Sequence, residues 1–541
     1  MSILSMTLWL PVAAAVIVAF IPRDSANAIK GAGLLASIAT FVVSLGIVAG
    51  FRDGFPGYQF VELHTWIPQW GITYSLGVDG ISLWLVMLTT LLTPVVLLAS
   101  WNTIHKHPKE YVIAFLIMEA AMSGVFVATD LILFSVFFEL TLLPMYLIIG
   151  VWGGANRIYA AIKFFLFTIA GSLLMLFGII YLGFQYSHLT GRPSFFIPNL
   201  YGLSLTPTAG TLLFFAFSIA FAIKVPLFPL HTWLPDAHVE APTGGSIILA
   251  GVMLKMGTYG FLRFVLPYFP DASRKYAGLM VALAVIGIIY GALVAWVQPD
   301  MKKLVAYSSV SHLGFCVLGI FAMNQTAIEG SILQMVNHGL STGALFLLVG
   351  VIYERRHTRK LADYGGIAKT MPLYATLFII AVLSSVGLPG LNGFVGEFLI
   401  LTGSFQTHPR AAVIAASGVI LAAIYLLWLV QRVFFGPITV EENRKIPEIA
   451  WNEVAALVPL IVLMVWIGLY PNMFLRKMSP SVEQLLTMVG GDTSSKSLLA
   501  TVPSPRVRGE GVRRTDEGRP SPGAEPALSV ANGRHPAEVA R

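Results

Sequence analysis

The chain has 541 residues, 56% of them hydrophobic and only 11% charged, with a mean hydropathy of +0.78. Water-soluble domains carry about a quarter of their residues as Asp, Glu, Lys or Arg, so a soluble enzyme of this size is excluded: it could not hide so much apolar surface. The net charge of +7 comes from basic residues scattered among long apolar runs, which leaves no basic face for nucleic acid. The single cysteine, Cys316, rules out a disulfide framework or a cysteine-ligated iron–sulfur cluster within the chain. What remains is an all-α polytopic membrane protein.

About twenty apolar residues are needed to cross a bilayer. About fourteen such stretches follow one another, near residues 3–22, 28–51, 79–101, 111–129, 131–150, 158–184, 210–229, 244–267, 276–298, 303–323, 329–353, 371–403, 410–435 and 452–470. The first has no positive residue before it and no small-residue cleavage site behind it, so it reads as a retained span rather than a signal peptide. Two longer connections, 52–77 and 186–209, are rich in Gly, Pro and aromatics and read as ordered surface loops. The others are short, which makes consecutive spans neighbours in an antiparallel bundle. Residues 479–490 suit a short amphipathic helix. From 493 to 541 the chain is largely Pro, Gly, Ser and Arg, the composition of a disordered tail.

Basic residues set the orientation. Arg23, Lys30, Lys106, Lys109, Arg157, Lys302, Lys303, Arg355, Arg356, Arg359, Lys360, Lys369, Arg444 and Lys445 fall on one side of the spans. The other side holds Arg52, Arg192, Arg274, Lys275 and Arg410. The richer face belongs in the cytoplasm, so in a bacterial inner membrane both termini are expected on the periplasmic side.

Two spans are interrupted by proline: the seventh, at Pro226 and Pro229, and the twelfth, at Pro389 among Gly387, Gly390, Gly393 and Gly396. Proline removes a backbone donor, and in hydrocarbon a freed carbonyl is tolerated only where it lines a polar cavity. The fourth span opens near Tyr111 and the ninth near Tyr276; the same offset carries Pro226 to Leu391, inside the second break. Five spans per unit is an odd number, so the two copies cross with opposite polarity, the pattern of an inverted repeat. The chain therefore divides into a three-helix N-terminal region (1–110), a first five-helix repeat (111–275), an inverted second repeat (276–436), a last span with an amphipathic end (437–492) and the tail (493–541).

A charge at mid-bilayer costs about 2.5–3.5 kcal/mol on insertion scales, so those present need a reason. Glu139, Lys224, Lys255, His312, His338 and Glu397 lie deep in six different spans, with Lys224 and Glu397 flanking the two breaks. Their chemistry suits proton transfer. A buried Lys224 beside a carboxylate such as Glu139 changes protonation state when its partner's distance or charge changes, and imidazoles accept on one nitrogen while donating from the other. Glu119 lies midway along the fourth span with no partner named by spacing. Lys163, near the start of the sixth, is placed to snorkel to the interface. His231, Asp236, His238 and Glu240 have a spacing that suggests a metal, but Pro235 and Pro242 read as imposing an extended loop, where the same groups serve as gate or interface residues. His312 and His338 on adjacent spans can in principle bracket a haem; nothing in the sequence demands it.

The stretch HTWLPDAHVEAPTGGSIILAGVMLKMGTYG at 231–260 resembles the signature of the antiporter-like subunits of proton-pumping NADH:quinone oxidoreductase, respiratory complex I. Its HVEAP form, with Lys255 downstream and Glu397 in the twelfth span, is similar to the subunit M family in particular, the counterpart of mitochondrial chain 4. The resemblance runs from the first span to about Tyr470.

The resemblance implies a proton relay: Glu139 and Lys224 as an input pair, Lys255 as central carrier, His312 and His338 as the connection, Glu397 as terminal group. It implies no cofactor in this chain, with FMN, iron–sulfur clusters and quinone in partner subunits. The partners implied are other membrane-arm subunits, especially two sister antiporter-like subunits, together with lipids. Two other readings share part of the pattern: the large subunit of a multisubunit Na⁺/H⁺ antiporter, and a haem-bearing membrane anchor.

Overall fold

Each expected apolar stretch holds a helix in the computed structural model, which describes residues 2–438 and 440–490; the tail expected over 493–541 lies outside the described residues. Among those residues twelve helices are long and apolar enough to cross a membrane, from Ile3–Phe20 to Trp451–Leu469. Two shorter apolar helices, Leu83–Ala99 and Pro372–Val386, accompany them. Asp130 and Asp300 start two of the helices in the same way. Each accepts hydrogen bonds from the second and third backbone N–H beyond it, at the heads of Leu131–Leu140 and Met301–Phe321.

The helices sort by what surrounds them. The apolar windows of Thr243–Tyr268 and Gln325–Arg356 are buried throughout, whereas Ala26–Gly50 buries only 28% of its window. A helix enclosed on all sides belongs at the centre. The outer helices present Phe20, Leu35, Phe177 and Phe184 outward, as a hydrocarbon-facing surface requires. The two central helices approach closely where Gly251 faces Gly339: a Cβ on Gly339 would sit 2.8 Å from the Gly251 carbonyl oxygen. That contact puts Lys255 within reach of the next helix.

Two peripheral elements depart from the expected loops. Within 52–77 the strands Gln59–Ile67 and Ile72–Val78 pair antiparallel. Ile72, Tyr74, Leu76 and Val78 alternate as a strand should, and Gly71 turns the chain with φ 66° where a Cβ would strike the Pro193 carbonyl. The amphipathic helix begins earlier than expected, at Asn472, and runs to Gly490. Phe474, Met478, Val482, Leu485 and Val489 form its buried stripe. Trp84 Nε1 donates to the Phe474 carbonyl at 3.2 Å, which fastens this helix to the N-terminal region.

Candidate functional site

Both proline-bearing spans break, and the freed backbone groups find partners. Helix Pro207–Lys224 ends at Lys224 and the chain becomes helical again at Trp233–Glu240. Across this gap Trp233 Nε1 donates to the Ile223 carbonyl at 2.9 Å. Pro372–Val386 ends at Gly387, whose φ of 85° only glycine adopts cheaply, and helix resumes over Asn392–Thr407. Here Asn337 Nδ2 donates to the Asn392 carbonyl at 2.7 Å and Ser384 Oγ to Asn392 Oδ1 at 2.5 Å. One expectation fails: Pro235 does not hold an extended loop. It occupies the third position of Trp233–Glu240, in the first turn, where its missing N–H has no helical acceptor to lose.

Lys255, His338, His312 and Glu397 come together. Lys255 starts a helical stretch, Lys255–Gly260, flanked by π-helical turns at Leu249–Met253 and Phe261–Val265. In the first π turn the Leu254 N–H reaches back to the Leu249 carbonyl, and the Ala250 carbonyl accepts from the Lys255 ammonium. Lys255 Nζ also lies 2.7 Å from His338 Nδ1. The rings of His338 and His312 have centroids 6.0 Å apart. His312 Nδ1 meets Glu397 Oε1 at 2.7 Å, and Tyr425 Oη lies 3.4 Å from its Nε2. Gln334 Nε2 donates to the same Glu397 oxygen at 3.1 Å and Asn337 Nδ2 donates to Gln334 Oε1 at 3.3 Å. A side chain at Gly396 would collide with Gln334. All four titratable groups are at most 4% exposed. With both its nitrogens engaged by protein groups, His312 is not turned toward an iron shared with His338.

Lys224 and Glu139 are not in direct contact. Lys224 is 1% exposed and its ammonium has no hydrogen-bond partner in the protein. It lies instead 5.0 Å from the ring centre of Phe138 and 5.8 Å from that of Phe164. Glu139, next along from Phe138, is half-buried and near enough for its charge to act on Lys224.

The weaker candidates disperse. Lys163 pairs with Asp236 at 2.7 Å. Glu240 accepts from the Asn156 N–H at 2.8 Å, His231 stacks on Phe228 and His238 on Phe346, so these four do not converge on one point. Among the described residues no three groups of metal-ligating type cluster. Glu119 is fully buried with no partner for either oxygen.

Sequence reasoning missed Gln334, Asn337, Asn392, Ser384 and Tyr425. The first two carried a signal. Ser331, Gln334, Asn337, His338 and Ser341 recur at helical spacing, a polar stripe on an otherwise apolar helix. Ser384 and Asn392 lie in the flagged break but carry no charge to mark them, and Tyr425 sits in an apolar stretch of its span with no polar stripe around it.

A helical membrane bundle with two broken helices and a buried file of titratable side chains defines an antiporter-like membrane protein. Residues 128–424 match the family described as NADH:quinone oxidoreductase/Mrp antiporter, TM, and residues 55–129 match the amino terminus of NADH-ubiquinone oxidoreductase chain 4. The chain belongs to the family of NADH-quinone oxidoreductase subunit M and its chain 4 counterparts. It is 49% identical to NADH-quinone oxidoreductase subunit M of Rhodobacter capsulatus, over 90% of this chain and 96% of that protein. It is 46% identical to NADH-ubiquinone oxidoreductase chain 4 of Arabidopsis thaliana, over 88% and 95%. Its fold matches a chain of respiratory complex I from Thermus thermophilus with bound NADH at a TM-score of 0.82 and 32% identity, covering 90% of this chain and all of that one. The Mrp complex of Dietzia shares the fold at 0.73 and 21% identity, covering 91% of this chain and 100% of that one.

Proposed function

We propose that this chain carries protons across the membrane as the antiporter-like membrane-arm subunit of a respiratory complex I, driven by NADH oxidation and quinone reduction in partner subunits. FMN, the iron–sulfur clusters and quinone belong to those partners; one buried cysteine, Cys316, cannot hold a cluster. The membrane is a bacterial inner membrane, with the Lys/Arg-rich face cytoplasmic and both termini periplasmic. The two five-helix repeats, 111–275 and 276–436, are the half-channels. The matching caps at Asp130 and Asp300, each at the head of its repeat's second helix, support that division.

The observation that carries the reading is the file from Lys255 through His338 and His312 to Glu397. Lys255 donates to the Ala250 carbonyl and, when protonated, also to His338 Nδ1, so its charged form is loaded beside an acceptor. A proton passed to Nδ1 releases the one on Nε2. The imidazole centroids lie 6.0 Å apart, a gap that a single water can bridge. Arrival at His312 Nε2, as the Tyr425 hydroxyl that meets it at 3.4 Å turns to accept, pushes the Nδ1 proton onto Glu397. Lys224 and Glu139 form the input, coupled through charge rather than contact. Glu139 is half-buried on a helix whose neighbours Val136, Leu140 and Leu143 are exposed, so its carboxylate marks a face covered by a sister subunit.

The test is NADH-driven proton pumping in membrane vesicles bearing Lys255→Ala, normalised to assembled complex. Loss of pumping with assembly retained is expected. Pumping at the wild-type rate would overturn the relay.

A further inference from the structure

The Thr243–Tyr268 span carries Lys255 near its middle and Arg263 eight residues further on, about 12 Å along the helix axis toward the face poorer in basic residues. Arg263 lies in the second π-helical turn and is 5% exposed. Its Nη2 donates to Asp79 Oδ1 at 2.6 Å, and its Nε donates to Tyr259 Oη at 3.2 Å. The rings of Tyr58 and Tyr259 flank the guanidinium, with centroids 5.1 and 5.3 Å from Cζ. Asp79 is held without Arg263 as well. The same Oδ1 accepts from the N–H groups of Ile81 and Ser82 at 3.1 Å and from Ser82 Oγ at 3.2 Å, at the head of the Leu83–Ala99 helix. Tyr259 is buried, four residues from Lys255 and four from Arg263. A hydroxyl passes a proton when it can accept on one side and donate on the other. Here Oη accepts from Arg263 and points its own proton at the Phe126 carbonyl, at 3.5 Å. A guanidinium has only donors and keeps its proton, so a chain of hydrogen bonds that reaches it stops there. At its other end the span begins in the wall of a cavity of about 210 Å³, at Thr243 and Gly244. One end of the span thus meets a cavity, the other an ion pair set among aromatic rings.

We infer that Arg263, held in place by Asp79, is a proton barrier, which stops a proton on Lys255 from escaping along its own helix to the face poorer in basic residues. The file to His312 and Glu397 is then the way onward. The inference rests on the relay reading above. Asp79 balances much of the guanidinium's charge, so the barrier is above all the missing lone pair. The guanidinium and its two flanking rings occupy the space where a file of water would otherwise run, as arginine does in pores that exclude protons. A lysine here would not serve, because a buried ammonium can give up its proton.

The intact complex in proteoliposomes tests this with two readouts: NADH-driven pumping, and passive proton entry under an imposed pH gradient without NADH. Arg263→Gln shortens the side chain, supplies an amide oxygen that accepts, and leaves Asp79 its three other donors. The expected result is an assembled complex that oxidises NADH, with passive proton entry raised several-fold and net pumping reduced to match. Adding Lys255→Ala should return passive entry to the wild-type level, because the escape path starts at that lysine. A tie between helices alone would open no leak that depends on Lys255. Proton-tight Arg263→Gln vesicles therefore overturn the barrier, and so does a leak that survives Lys255→Ala. Lys255→Ala alone pumping at the wild-type rate overturns the relay instead. Should Arg263→Gln not assemble, Arg263→Gln combined with Asp79→Asn, which leaves no unpaired charge, decides by the same two readouts: a leak that depends on Lys255 supports the barrier, and tight vesicles overturn it.

Discussion

Lys255 Nζ and His338 Nδ1, 83 residues apart in the chain, meet at 2.7 Å in the middle of the bundle. An ammonium has only donors, so the contact requires a lone pair on Nδ1 and places the imidazole proton on Nε2. With Lys255 protonated, the pair holds one proton more than its neutral form and can offer it toward His312. His338→Gln retains a hydrogen-bond acceptor for Lys255 but cannot take up and release a proton. It is expected to assemble and to lower NADH-driven pumping by about a hundredfold or more, the range of lost proton-transfer groups. Wild-type pumping would show that His338 only positions Lys255.

The input groups make a different prediction because they share no direct contact. Lys224 has no hydrogen-bond partner in the protein and Glu139 is half-buried. Removing either side chain therefore breaks no contact between them, and Lys224→Ala and Glu139→Ala are each expected to leave assembly intact. Removing either still deprives the relay of its input, so coupled NADH:quinone turnover should fall strongly in both. Were Lys224→Ala alone affected, Glu139 would not belong to the input.

Much of this was legible in the sequence, for reasons that show where legibility ends. Lys224, Lys255 and Glu397 stood out because charge at bilayer depth is costly, and the breaks stood out because proline cannot continue a helix. The contacts were not legible. Gly251 against Gly339 decides that Lys255 reaches His338 rather than another group, and a glycine in a membrane helix says nothing of what it will face. The Trp233–Glu240 helix was misread because Pro235 was weighed as a breaker, without regard to its place in a first turn. The hairpin at Gln59–Ile67 and Ile72–Val78 was hidden because its first strand is irregular, with register shifts at Gln59/Glu62 and Thr65/Ile67 that break the alternation of apolar and polar residues.

The second break rests on Asn392. Its side chain accepts from Ser384 Oγ, and its carbonyl accepts from Asn337 Nδ2, so one residue joins both half-helices to the Gln325–Arg356 helix. Asn392→Leu strands the Ser384 hydroxyl in a buried site, at a cost of about 2 kcal/mol. Thermal unfolding of the purified complex should begin at lower temperature, with loss of this subunit first. An unchanged transition would show that the break is held elsewhere.

At the periphery, Asp53 accepts from Lys477 Nζ at 2.8 Å and from Arg476, linking the first long loop to the Asn472–Gly490 helix. The hydrogen bond from Lys477, then that from Arg476, holds its carboxyl below the usual carboxylate value of 3.8. A depressed folded-state value means the tether is fully present above the ordinary carboxylate range and is lost as pH falls through the lowered one. Hydrogen exchange in the Asn472–Gly490 helix should therefore be unaffected by pH near neutrality apart from intrinsic rates, and should lose protection in acid. Asp53→Asn should show the lower protection at every pH, and equal protection in the two proteins would remove Asp53 from the anchoring of this helix.

Glu397 ends the file, and its surroundings make the order of substitutions informative. Oε1 takes hydrogen bonds from His312 and Gln334, while the buried Oε2 has no protein partner. One oxygen is thus fixed by the relay and the other is open to receive or release a proton. Glu397→Gln keeps the shape and an acceptor for His312 but cannot titrate, so pumping should fall by about a hundredfold or more. Glu397→Asp keeps the proton chemistry on a shorter arm and should retain much of the activity. Glu397→Lys still titrates but reverses the charge facing His312, and at most partial activity is expected. A carboxylate needed only as an acceptor would tolerate Gln as well as Asp. The measurement is NADH-driven pumping in vesicles, normalised to assembled complex, and a Gln variant matching wild type would take Glu397 out of the relay while leaving the fold unchanged.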